Sequence, residues 1–215
     1  ASKFVLSSLE GYEPKPTRLL PMDEWIIAKF NQMQRYFIAY FEKYEIGLAM
    51  AELERFFWNF CDNYIEIAKN RLYKPEIYGE SSKASAQFAC FNVLKEMLKM
   101  FAIYLPHITE EIYQSYFRTF ENKVSIHNTE LAEIDIKTPE EIIENGDAVC
   151  EIVAQIRRYK SENNLSLKEE VERLTVQGYG DFIKRVEYDI KAVGNVKEIV
   201  YTAGDRFVGI KMERK

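Results

Sequence analysis

Few of the 215 residues have the types and spacing that bond-making chemistry needs. His107 and His127 are the two histidines, which leaves a histidine-based nucleophile or metal site almost nothing to draw on. No Glu-x-x-His pair exists to build a carboxylate di-iron site in a helix bundle. Cys61, Cys90 and Cys150 stand 29 and 60 residues apart, too far for a zinc ribbon. Their odd number in apolar surroundings reads as reduced thiols in a cytosolic protein. Gly178-x-Gly180 lacks the third glycine and the following lysine of a phosphate loop. Asp62 and Glu66 lie four apart on one helical face, the placement of an acid–base pair and equally of two carboxylates that pair with neighbouring Arg and Lys. No catalytic centre and no metal site emerges.

What remains is aromatic and basic. Tyr, Phe and Trp make up 14% of the chain, and most fall at helical spacing. Trp25 lies in the first turn of a helix that opens near Asp23, off the apolar stripe that begins at Ile26. Such a residue is an exposed platform for base stacking, or it caps the bundle end. Lys69, Arg71 and Lys74 close one helix; Arg157, Arg158 and Lys160 close another. Each trio either complements its helix dipole or faces phosphate. The net charge of −5 argues against a nucleic-acid partner only as a global sum. Residues 121–151 hold two lysines against nine acids, which puts −7 there and leaves the rest of the chain at +2. A chain patterned in this way can still bind phosphate on one face.

The elements that must position these residues are mainly helical. A short helix ends at Gly11, and Pro14, Pro16 and Pro21 mark a loop. Asp23 is placed to cap a helix to about Tyr44, with Ile26, Phe30, Met33, Phe37 and Phe41 on one face. A longer helix from about Leu48 to Leu72 buries Leu53, Phe56, Phe60, Tyr64 and Ile67. Ser81 or Ser82 caps a third helix that carries Phe88 to Leu105, and a shorter one follows Pro106. Together they form an antiparallel up-down bundle over residues 1–137. The acidic segment 121–137 is irregular, with a short extended piece at Val124 to Ile126. Thr138-Pro139-Glu140-Glu141 has the pattern of a capping box and opens a helix to about Glu162. After it come a strand from Val171 to Val176, a helix from Asp181 to Ala192, and a hairpin with arms 196–202 and 207–212. Residues 138–215 thus form a helix plus a small α+β subdomain. The longest uninterrupted apolar stretch, Met100 to Leu105, is far short of a membrane span, and no signal peptide opens the chain.

The run Phe56-Phe57-Trp58-Asn59-Phe60-Cys61-Asp62-Asn63-Tyr64-Ile65-Glu66-Ile67-Ala68-Lys69-Asn70-Arg71-Leu72-Tyr73 closely resembles the anticodon-binding domain of valyl-tRNA synthetases, which are class I enzymes. Other blocks agree in order: Ala1 to Leu6, Leu9 to Tyr12, Asp23-Glu24-Trp25-Ile26-Ile27, Tyr44 to Ala49, Leu105-Pro106-His107-Ile108-Thr109-Glu110-Glu111-Ile112-Tyr113-Gln114, and Ser125-Ile126. The Phe60-Cys61-Asp62 step favours valyl over isoleucyl relatives. His107 stands where the family usually has an aromatic, and the family's Trp-Pro after Ser125-Ile126 is absent. The His-Ile-Gly-His and Lys-Met-Ser-Lys-Ser signatures of class I catalytic domains do not occur.

The resemblance implies a non-catalytic portion of a valine–tRNA ligase that binds the anticodon loop and stem of valine tRNA, the ATP and Mg²⁺ belonging to the parent enzyme. It implies an aromatic at Trp25 stacking near the anticodon, with the third helix around Val93 to Met97 lining the other side. Arg18, Arg35, Lys69, Arg71, Lys95 and Lys99 become candidates for phosphate contacts, and Arg157, Arg158 and Lys160 for the stem side. A cytoplasmic monomer, partnered by the catalytic domain of its own polypeptide and by neither DNA nor membrane, is the matching expectation. A free-standing tRNA-binding regulator and a helical protein-interaction module that uses the acidic stretch remain as alternatives.

Overall fold

A computed structural model of the chain describes residues 2–15 and 17–212. Ala1 and Pro16, which fall in the first helix block and in the proline loop, lie outside the described residues, as do positions 213–215. The fold is mainly helical, with a small α+β unit at the C-terminal end.

Helix α1 (Ser2–Ser8) leads to a left-handed Gly11. Helix α2 (Pro21–Glu42) begins with proline at its first turn, where no N–H is needed. Asp23 is not its cap. Leu20 holds that position, and its N–H donates to the Ser85 hydroxyl at 2.8 Å. Asp23 is fully buried and serves the core.

The long second helix forms as α3 (Ile46–Asn59), a π-helical turn (Phe60–Tyr64) and α4 (Ile65–Tyr73). The π turn falls on the Phe60-Cys61-Asp62 step on which the family resemblance drew; such turns insert one extra residue and cluster at functional sites. The short helix α5 (Pro75–Tyr78) ends at left-handed Gly79, and α6 (Glu80–Phe101) follows directly. No serine caps α6, and Ser82 is buried instead. Helix α7 (Pro106–Ile112), a second π turn (Tyr113–Phe117) and α8 (Arg118–Glu121) complete the bundle.

The acidic segment after α8 has its backbone pinned to the bundle, with one 3₁₀ turn at Ile126–Asn128 in place of an extended piece. Asn31 forms two bonds with residue 134: its amide donates to the Ile134 carbonyl at 2.8 Å, and its oxygen accepts from the Ile134 N–H at 3.0 Å. Glu96 accepts from the Ala132 N–H at 3.2 Å. Ile126 and Ile134 are buried while Glu130, Glu133 and Asp135 point to solvent.

Helix α9 (Ile142–Glu162) starts four residues after Thr138 and has no side-chain cap, so the capping box does not form. A turn at 140–141 feeds the helix instead. Three strands follow: β1 (Val171–Gln177), then β2 (Val196–Thr202) and β3 (Phe207–Met212), with α10 (Phe182–Arg185) and α11 (Glu187–Gly194) between β1 and β2. The sheet order is β2-β1-β3, with β2 parallel and β3 antiparallel to β1. The arms 196–202 and 207–212 are therefore not a hairpin. Their connection passes the end of β1, where Gly178 approaches the Gly204 carbonyl so closely that a Cβ would collide with it.

The apolar core runs without a break from Val5 through the bundle to Val149, Ile156, Leu174 and Ile199. Residues on both sides of position 137 thus share one interior. Trp25 is at the centre of that seam: its exposure is 0%, and a Cβ at Gly146 of α9 would fall inside its indole. Deleting so large a buried ring leaves a cavity. Trp25→Ala is therefore expected to lower unfolding stability by about 3–5 kcal/mol in a denaturant titration. A loss under about 1 kcal/mol, the range of exposed sites, would contradict this packing.

Candidate nucleic-acid interface

Four of the residues expected at an RNA surface are not on the surface. The Trp25 indole N–H donates to Asp147 at 3.0 Å, and Lys29 pairs with the same carboxylate. A helix packed by bundle partners on one side alone would leave Trp25 exposed. Here α9 covers the opposite side, so Met22, Asp23, Trp25, Ile26 and Ile27 are all buried. Arg71 has no exposure and is held by Asp23 and Asp189. The Lys99 ammonium is buried among Glu96 at 2.9 Å, Glu121 at 2.7 Å and the Glu130 carbonyl at 3.0 Å, where it anchors the acidic segment. Lys160 is 1% exposed, and its ammonium donates to the carbonyls of Leu167, Glu169 and Gly194 at 2.7–3.0 Å. Burial pushes the Lys160 ammonium below its ordinary pKa. Val93 and Met97 belong to the core. Cations whose donors are saturated by protein oxygens have none left for phosphate.

The remaining candidates divide by position. Arg35 is exposed and pairs with Glu133 at 3.2 Å, and Lys95 leans over the Phe91 ring beside Glu96 and Glu121. Arg18 is exposed at the approach to α2, and Arg158 is exposed near Val208 and Ile210. Lys69 and Arg157 come together. With Lys74 and Lys168 they line a cleft of about 830 Å³ between α4 on one wall and α9, the 163–170 loop and the end of α11 on the other.

The cleft is built by opposed charges at close range. The Lys69 ammonium donates to Glu66 at 2.6 Å, and Arg157 stands 3.7 Å from the same carboxylate. Arg157 also donates to the Asp62 carbonyl at 3.1 Å, which lies in the π turn. Glu66 therefore acts as a counter-ion for two cations, and its pairing with Asp62 as acid and base does not arise. Lys74 and Lys168 are exposed and make no ion pair among the described residues. Asn70 and Asn195 add amide edges to the lining.

Tyr73 is an exposed aromatic close by in the chain. It is the last residue of α4, one helical turn after Lys69, and Lys74 follows it at the end of the helix. Tyr73 is 56% exposed, and the edge of Phe4 of α1 supports it, with ring centroids 5.4 Å apart at 80°. The pattern Lys69-x-x-x-Tyr73-Lys74 was available in the sequence, since Tyr73 lies off the buried Tyr64, Ile67 and Leu72 positions. Lys168 gave no such signal because it sits in an irregular loop. The exposed tryptophan of the chain is Trp58, at 54%, on the outward side of α3.

This arrangement, cationic on both walls, can hold a polyanion. Among the described residues no group of three His, Cys, Asp or Glu could hold a metal ion. Among the same residues no helix is long and apolar enough to cross a membrane.

Comparison with known proteins agrees with this chemistry. The family described as "Anticodon-binding domain of tRNA ligase" matches residues 23–176. The valine–tRNA ligase of Thermococcus kodakarensis is 31% identical over 209 residues, which cover 94% of this chain and 23% of that protein. That of Ehrlichia canis is 34% identical over 94% of this chain and 25% of its own length. That of Haloarcula marismortui is 36% identical over 83% of this chain and 19% of its own length. The chain thus spans about a quarter of the length of these relatives. With well over half of its residues inside the matched region, the chain belongs to the anticodon-binding domain family of tRNA ligases.

Proposed function

We propose that this chain is the part of a valine–tRNA ligase that grips the anticodon arm of valine tRNA, and that the cleft between α4 and α9 takes the RNA. The observation that carries this reading is the meeting of Lys69, Lys74, Arg157 and Lys168 around one cleft, with exposed Tyr73 next to Lys74 in the chain. Single-stranded RNA is recognised by laying unstacked bases on aromatic rings while cations neutralise the backbone. Tyr73, braced by Phe4, supplies the ring. Lys74 and Lys168 supply unpaired charges on opposite walls. Lys69 and Arg157 share Glu66 while the cleft is empty and exchange it for phosphate when an anion arrives.

The acidic segment contributes by exclusion. Glu130, Glu133 and Asp135 face outward from the strap and repel a phosphate backbone from that side, so the RNA is steered toward the cleft. Arg18 and Arg158 remain exposed for phosphates farther along the stem. Activation of valine with ATP and Mg²⁺ and its transfer to the tRNA 3′ end would lie in the remainder of such an enzyme, a cytoplasmic monomer on this reading. The chain itself binds and orients.

Titration of the chain with valine tRNA and with anticodon-swapped transcripts at two salt concentrations tests this reading. The valine anticodon is expected to bind tightest, and equal affinity for every anticodon would leave only non-specific attraction. Tyr73→Ala is expected to weaken valine tRNA binding by about 1–3 kcal/mol, the range for loss of one stacked base; unchanged affinity removes Tyr73 from the site. Lys74→Ala and Lys168→Ala should each flatten the plot of log affinity against log salt by about 0.7–0.9, one phosphate contact apiece. An unaltered slope in both variants would place the RNA elsewhere.

A further inference from the structure

The two walls of the cleft are joined behind it by a buried cluster whose charges do not balance. Arg71 of α4, Asp23 of α2 and Asp189 of α11 have side-chain exposures of 0%, 0% and 2%. Asp23 is saturated: it accepts from Tyr64 at 2.7 Å, from Ser85 at 2.5 Å, and from the two terminal nitrogens of Arg71 at 2.7 and 2.8 Å. Asp189 is not. Its Oδ1 accepts from the Arg71 Nε at 3.1 Å, while its Oδ2 is buried without a partner among the described residues.

The groups that face Asp189 are few. Among the described residues they are Arg71 from α4, Asp23 from α2, Tyr78 from α5 and Tyr188 beside it. Arg71 is the cation among them. If both carboxyls are ionised, the interface holds one uncompensated negative charge away from water, which is strongly unfavourable. A proton on Oδ2 cancels that charge, while Oδ1 still accepts from Arg71. Burial pushes the Asp189 carboxyl up to about 7, against the opposing pull of Arg71.

The cluster sits where it can set the width of the cleft. Arg71 lies between Lys69 and Lys74 on α4, and α11 runs from Asp189 into Gly194 and Asn195 on the other wall. We propose that Asp189 is a proton-controlled positioning residue: protonated, it seats α11 against α4 and holds the cleft at the spacing that accepts RNA, and ionised, it loosens that seat. The RNA half of this inference rests on the cleft being the tRNA site; the seating half does not.

The sign follows from linkage. A carboxyl whose folded-state pKa lies above its ordinary value of 3.8 stabilises the fold at acid pH, and that stability is lost as pH rises through about 7. The test compares the unsubstituted chain with Asp189→Asn, which mimics the protonated acid, by unfolding midpoint and by valine tRNA affinity between about pH 6 and 8.5, either side of that titration. The unsubstituted chain should lose stability up to about pH 7 and level off above it, and its affinity should fall by up to about tenfold per pH unit above the titration point. Asp189→Asn should be flat in both. Equal slopes in the two proteins would overturn the proposal. A carboxyl ¹³C NMR titration of the unsubstituted chain needs no variant: one aspartate titrating near 7 supports the proposal, and every aspartate titrating in the ordinary carboxylate range overturns it. If no valine tRNA binds at any pH, the tRNA reading fails while the unfolding and NMR arms still decide the role of Asp189.

Discussion

The guanidinium of Arg71 is enclosed by carboxylates that lie 48 residues before it and 118 residues after it in the chain. An arginine cannot shed its charge by deprotonation, so once buried it dictates where its partners stand. Asp23 is drawn out of a capping role and into the core, and Tyr64 and Ser85 are turned toward it. Asp189 brings α11, and with it the sheet, against α4. Removing one partner from such a cluster costs on the order of 3–5 kcal/mol, because the remaining charge is stranded. Lys160 does comparable work on the other side, where its three carbonyl partners join α9, the 163–170 loop and the end of α11. Two buried cations thus fix the walls of the cleft, and the cations that stay at its surface are left to meet an anion.

This division of labour among the basic residues is what a linear sequence conceals. Arg71, Lys99 and Lys160 have the same residue types and the same helix-end positions as Lys69, Lys74 and Arg157. Nothing in spacing alone says which of them finds a carboxylate or carbonyl from 3 to 118 residues away. The elements were legible where one apolar stripe decides them: α2, the long α3–α4 helix, α6 and α9 all form within a few residues of their periodic patterns. Legibility failed where a second layer intervenes. Trp25 is off the bundle stripe and still buried, since α9 packs on the far side of α2. The strands β2 and β3 are adjacent in sequence and read as a hairpin, but β1 lies between them, a pairing set by long-range contacts.

The π turn at Phe60–Tyr64 shows how local sequence and site geometry connect. An extra residue in one helical turn redirects the remainder of the helix, and the Asp62 carbonyl comes to accept from Arg157 on the opposite wall. The same run, Phe60-Cys61-Asp62, carried much of the family resemblance. Its chemical ordinariness is resolved by geometry, since its contribution is backbone shape at the head of the cleft. Likewise the net charge of −5 describes no single surface. The outward acids of the 121–137 segment and the cations of the cleft lie on separate elements, and their sum hides both.

The central claim is that an anticodon arm lies in the α4–α9 cleft, against Tyr73 and between Lys74 and Lys168. Site-specific photo-crosslinking tests it most directly, with a photoreactive residue placed at position 168 in one sample and at position 133 on the acidic strap in another, each bound to valine tRNA. Crosslinks from position 168 to the anticodon arm, with none from position 133, are the predicted result. Crosslinks from position 133 alone, or from position 168 only to the acceptor arm, would contradict the account.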